Sequence, residues 1–141
     1  MTTLIKNGTV VTAADMARAD VLIDGERIQA IGTGLAQTGT AAAADTVIEA
    51  AGRYVMPGGI DVHTHMELPF GGTFASDDFA TGTVAAAWGG TTTIVDFAVQ
   101  SYGETLAQGL DRWLEKAGPK SHIDYGLHLI EIGRASCRER V

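Results

Sequence analysis

The chain has 141 residues, 45% of them apolar and 19% charged, enough apolar material for a buried core and too little charge for a disordered chain. Ten Lys and Arg stand against 17 Asp and Glu, a net charge of −7, and without a basic stripe nucleic acid is not an expected partner. No apolar run approaches the roughly 20 residues of a membrane helix, and Met1-Thr2-Thr3-Leu4-Ile5-Lys6 lacks a signal-peptide core, so no membrane association is expected.

In chain order, Leu4–Lys6 and Thr9–Val11 flank Asn7-Gly8, and Val21–Ile23 and Arg27–Ile31 flank Asp24-Gly25; both dipeptides suit a tight hairpin turn. Residues 32–45 have no period and read as a loop. Thr46–Ala50 and Tyr54–Met56 are short strands, which makes residues 1–56 a small all-β unit. Past Met56-Pro57-Gly58-Gly59 the pattern changes. Ile60–Met66 alternates as a strand does. Ser76 with Asp77 and Asp78 opens a helix that runs to Trp88 and stops at Gly89-Gly90. Thr91–Ala98 is a β-branched strand. Ser101-x-x-Glu104 has the form of a capping box, with Leu106, Leu110, Trp113, Leu114 and Ala117 on one face of the helix that follows. Gly118-Pro119 ends it, and His122–Ile130 is a third alternating strand. The order β-α-β-α-β predicts a parallel sheet.

Strict alternation puts Asp61, His63 and His65 on one face of the first of these strands. It puts Thr92, Ile94 and Asp96 on one face of the second, and His122, Asp124, Gly126 and His128 on one face of the third. The opposite faces, with Val95 and Phe97 among them, are apolar. A parallel sheet covered on both sides is apolar throughout, so one polar face predicts a barrel interior that carries chemistry.

His63-Thr64-His65 is the strongest chemical signal. Side chains two apart on a strand point the same way, about 7 Å apart at the backbone, so both imidazoles can reach one small cation. Asp61 on the same face is placed to orient an imidazole. His122 and His128 read as structural, and Asp96 as a hydrogen-bonding residue of the scaffold. Gly71-Gly72 lacks the spacing of a phosphate loop.

The run Met56-Pro57-Gly58-Gly59-Ile60-Asp61-Val62-His63-Thr64-His65-Met66-Glu67-Leu68-Pro69-Phe70-Gly71-Gly72-Thr73 resembles the hydantoinase/dihydropyrimidinase branch of the amidohydrolase superfamily. So do Ser76-Asp77-Asp78-Phe79, the stretch from Gly89 to Phe97, Asp124-Tyr125-Gly126 and the opening Ile5–Val11. The resemblance covers about residues 1–130. It implies an α/β fold: the first three strands of a TIM-like (β/α)8 metallo-hydrolase barrel (57–130), preceded by part of a small β-sandwich domain (1–56). It also implies a binuclear metal site, usually zinc, whose first two ligands fall on His63 and His65. In that family a hydroxide bridging the metals attacks a ring carbonyl of a small cyclic amide substrate. Leu68 and Phe70 fall in the loop that borders the pocket for the ring substituent, and the intact proteins are usually homotetramers. The family's bridging lysine, further histidines and proton-shuttling aspartate come from later strands, so none of the catalytic residues is expected in this chain, which is expected to be an inactive fragment. Allantoinase and dihydroorotase share His-x-His but fit Leu68–Thr73 less well. Non-catalytic dihydropyrimidinase-like scaffold proteins lose the metal ligands that this chain keeps.

Residues 131–141 break abruptly from the acidic, Gly/Ala-rich text before them and read as a non-native, adapter-derived tail. It contains Cys137, the single cysteine, so no disulfide framework is expected, and a reducing, cytoplasmic setting is.

Overall fold

Leu4, Gly8 and Val10 turn one side of a ten-residue strand inward, and this strand, β1 (Thr2–Val11), organises the first part of the chain. The structure, a computed structural model, describes residues 1–132; most of the expected tail, 133–141, lies outside the described residues. The chain divides into two units, Met1–Pro57 and the stretch from Gly58 onward.

In the first unit β1 pairs antiparallel with β2 (Met16–Asp24), which pairs antiparallel with β3 (Arg27–Gly32). On the other edge of β1, β4 (Thr46–Glu49) and β5 (Tyr54–Val55) add in parallel. Two short 3-10 turns, Leu35–Gln37 and Gly39–Ala43, fall in the expected loop, and Leu35 and Ala41 pack with Leu4 and Leu22. The Asp24-Gly25 hairpin forms as expected, with Gly25 at φ +56°. Asn7-Gly8 does not turn the chain. It makes a bulge inside β1, where the register against β2 shifts between Ile5 and Gly8 and Asn7 takes φ 63°. The buried Asp20 carboxylate holds the bulge by accepting the Asn7 N–H (2.8 Å) and ties it to the Leu35 N–H (2.9 Å). A Cβ on Gly8 would stand 2.6 Å from Val55 Cγ2, so the dipeptide serves close packing within a strand rather than a hairpin.

The second unit runs β6 (Gly59–Thr64), β7 (Pro69–Phe70), β8 (Thr73–Phe74), α1 (Phe79–Trp88), β9 (Thr91–Val99), α2 (Leu106–Ala117) and β10 (Asp124–Ile130). β7 and β8 form a small hairpin, and β10-β9-β6 is a parallel sheet in that spatial order, as alternating strands and helices predict. Phe79 of α1 and Trp113 and Ala117 of α2 pack on Ile94 and Ala98 of β9, all essentially inaccessible to water. Fully burying a side chain as large as Phe79 contributes about 1.5–3 kcal/mol.

Both helices start later than the sequence pattern places them. Asp78, not Ser76, caps α1, accepting the Thr81 N–H at 2.8 Å while Thr81 Oγ1 accepts the Asp78 N–H. That hydrogen bond from the Thr81 backbone is the main reason the Asp78 carboxyl sits below its ordinary range. Ser101 and Glu104 close a turn of their own, and Thr105 with Gln108 forms the capping box of α2. In each case the cap is supplied by a second oxygen-bearing side chain two or four residues downstream.

The larger correction concerns the two faces of the sheet. Asp61 stands opposite Ile94 but Thr64 opposite Asp96, a one-residue irregularity in β6. Such a slip transfers the residues beyond it to the other face. It interrupts the row Asp61-His63-His65 and turns β9 over relative to the histidines: Ile94, Asp96 and Ala98 lie beneath the helices, and Phe97 faces His63 and His65.

Among the described residues β6 and β10 are edge strands, and Ile60 and Val62 of β6 are 65% and 61% exposed. Open edges with apolar flanks promote association. Residues 1–141 expressed alone should therefore self-associate in light scattering; a monodisperse monomer with a sharp thermal transition would contradict this.

Candidate metal centre

The last residue of β6 is Thr64, and the two histidines flank it. The irregularity in β6 places both imidazoles on the sheet face away from the helices, with Nε2 of His63 3.2 Å from Nε2 of His65. The rings meet edge to face, 86° between planes. Phe97 packs beneath both, its ring centroid 4.5 Å from that of His63 and 5.2 Å from that of His65. At this separation one ring nitrogen donates a proton to the other, or both present lone pairs to a shared cation. Two nitrogens bound at 2.0–2.1 Å to a tetrahedral zinc stand about 3.3 Å apart, so the pair has the bite of two ligands on one ion. Among the described residues no group of three His, Cys, Asp or Glu side chains comes together.

Asp61 acts on the main chain: its carboxylate accepts the His63 backbone N–H at 3.1 Å. Asp96 is the hydrogen-bonding scaffold residue that the sequence predicts, and it is fully buried. One oxygen, Oδ2, accepts the Thr64 hydroxyl (2.8 Å) and the Met66 N–H (2.7 Å), the residues on either side of His65. The other, Oδ1, accepts the Phe97 N–H (2.8 Å) and the Trp113 indole N–H (3.3 Å).

Beyond His65 the chain is clamped. A Cβ on Gly82 would lie 2.4 Å from Met66 Sδ, so the end of the Met66 side chain packs directly on the α1 backbone. Glu67 takes a left-handed backbone, φ 54°, a conformation that disfavours side-chained residues by about 1–2 kcal/mol. Its N–H bonds to Asp77 O and its carboxylate pairs with Lys116 and Lys120 from α2 and the turn after it. The Glu67 carboxylate in turn holds the Lys120 ammonium above its ordinary range.

Leu68 and Phe70 part company. Leu68 is half-buried against the core of the unit, whereas Phe70, next to the Gly71-Gly72 turn, is 80% exposed. His128 stacks on the far side of the aromatic cluster, 5.0 Å from Phe97. His122 lies elsewhere, in a cleft with Val84, Ala87 and Trp88. Phe97 is the residue that reading by alternation missed; its signal is the β6 irregularity, which no local sequence pattern announces.

The sequence pattern of the amidohydrolase family matches residues 54–133. A D-hydantoinase of Streptomyces coelicolor is 59% identical over 132 residues, 91% of this chain and 27% of that protein. A D-hydantoinase of Geobacillus stearothermophilus is 53% identical over 130 residues, 92% of this chain and 26% of that protein. The crystal structure of the dihydropyrimidinase from Brevibacillus agri superposes with a TM-score of 0.88 at 54% identity, covering 97% of this chain and 29% of that one. The chain thus spans about a quarter of the length of the curated relatives it matches.

Leu68 and Phe70 make a testable pair. Leu68→Ala should destabilise the full-length protein by about 1–3 kcal/mol, and Phe70→Ala by no more than about 0.5 kcal/mol, in thermal or denaturant unfolding. Equal losses would contradict the division between a packing residue and a free one.

Proposed function

The chain belongs to the amidohydrolase family, and from that premise we propose that it is part of a metal-dependent hydrolase that opens the ring of a small cyclic amide, a hydantoin or a dihydropyrimidine. The observation that carries this reading is the convergence of His63 and His65, Nε2 to Nε2, at the C-terminal end of a parallel strand. That end is where barrel enzymes assemble their chemistry. On this reading β6, β9 and β10 are the first three strands of a (β/α)8 barrel occupying 57–130, and residues 1–56 are part of a small β-sandwich domain. The tail from 131 is extraneous to both. The full-length protein is a homotetramer.

His63 and His65 would hold the ion, zinc in our proposal, through Nε2, which would leave the ring proton on Nδ1. When bound, a divalent metal of this kind polarises a carbonyl and lowers the pKa of water. The protein's own part is positional. Asp61 fixes the main chain at His63, and Phe97 shields one side of the imidazole pair from water. Leu68 sets the path of the loop after the ligands. Phe70, whose exposed ring is unused by the core, lies against the ring substituent and discriminates among substrates. The remaining ligands of a binuclear centre come from elsewhere in the full-length protein.

The test is made on the full-length protein. It should hydrolyse hydantoin or dihydropyrimidine and lose that activity to a chelator. His63→Ala and His65→Ala should each remove bound metal and most turnover, because one imidazole cannot replace a two-ligand clamp. Activity that survives exhaustive metal removal, or full metal content in either variant, would contradict the proposal.

A further inference from the structure

The catalytic reading leaves unused the most completely buried carboxylate in the second unit. Asp96 has no exposure to solvent. A carboxylate in such a place needs hydrogen-bond donors for both oxygens, and Asp96 has four. Their placement matters more than their number. The two on Oδ2, the Thr64 hydroxyl and the Met66 N–H, come from the residues immediately before and after His65. One of the two on Oδ1 is the N–H of Phe97, the residue whose ring supports both imidazoles. The other, from Trp113, pins the carboxylate to the core of the unit.

We infer that Asp96 is a positioning residue for the metal ligands, acting through backbone and hydroxyl contacts. It rests on the metal site proposed above. Three residues beside the pair, Thr64 through its hydroxyl and Met66 and Phe97 through their backbone N–H groups, are bonded to one carboxylate, and that carboxylate is anchored by a buried indole. His65 is the first residue beyond the end of β6. Without Asp96 its backbone is free to swing, and the 3.2 Å bite with His63 widens. Asp61 does the corresponding work at His63 from the exposed side. Groups that orient metal ligands typically contribute 10- to 100-fold to metal affinity. Most do so by touching the imidazole; here the hold is on the chain that carries it.

The experiment uses the full-length protein, stripped of metal and titrated with zinc against a chromophoric chelator, and with cobalt(II), whose visible absorption reports ligand geometry. Asp96→Asn sets an amide N–H against the Met66 N–H; it should weaken zinc binding about 10- to 100-fold and alter the cobalt spectrum. Thr64→Val removes one of the two flanking bonds at nearly constant volume. It should weaken zinc binding about 3- to 10-fold, the worth of one hydrogen bond, and it serves should Asp96→Asn fail to fold. Trp113→Phe, which deletes only the far anchor, should lower the melting temperature and change zinc affinity by less than about 3-fold. Folded Asp96→Asn or Thr64→Val with wild-type zinc affinity and cobalt spectrum overturns the inference, and so do equal losses in all three variants, the sign of general loosening. A wild-type protein that binds neither ion overturns the proposed metal site itself, and the inference falls with it.

Discussion

Burying a carboxylate is unfavourable by several kcal/mol unless donors surround it, and the second unit is arranged around that requirement. Asp96 has no solvent contact and draws its four donors from β6, from the segment after β6, from β9 and from α2. The carboxylate is satisfied only when all of these are in place together. The same four bonds leave His65 one backbone course and put the Phe97 ring under the imidazoles. A single polar group thereby links the packing of helices on one face of the sheet to the histidine pair on the other.

The two faces of the sheet do different work. Toward the helices, Ile94, Ala98, Phe79, Trp113 and Ala117 exclude water and provide the hydrophobic stabilisation of the unit. On the opposite face an aromatic cluster of His63, His65, Phe97 and His128 is open to solvent on the described residues. The imidazoles there remain accessible, as the proposed metal site requires. The segment that follows them is tied down outside the sheet: Met66 packs against Gly82 of α1, and Glu67, with a left-handed backbone, pairs with Lys116 of α2 and Lys120 in the turn after it. Sites built on rigid elements keep their geometry better than sites built on loops. Here the histidine pair straddles the end of β6, and the extra ties hold the segment after it.

Much of this was readable from residue pattern. β2 to β6, β9 and β10, the two helices and the parallel sheet follow from alternation, capping residues and glycine stops, whereas the small β7–β8 hairpin does not. His63-Thr64-His65 stands out without a structure. What alternation did not reveal follows from events with no local signature. Asn7-Gly8 has the chemistry of a hairpin turn, but Asp20, thirteen residues away, captures the Asn7 N–H and makes it a bulge. The caps moved to Asp78 and Thr105 because neighbouring residues offer equivalent oxygens and the packing of Phe79 and Trp113 decides between them. The one-residue irregularity in β6 reversed the face of β9, exchanging Asp96 for Phe97 beside the histidines. Period-two reasoning fails whenever a strand gains a residue, and such strands are common beside functional sites.

The central claim is that His63 and His65 are ligands of one metal ion. Anomalous diffraction at the zinc absorption edge from crystals of the full-length protein tests it most directly. The account predicts a peak 2.0–2.1 Å from Nε2 of both histidines, a distance expected of about any zinc–imidazole bond. A zinc peak coordinated by other residues, with His63 and His65 still bonded to each other, would contradict it.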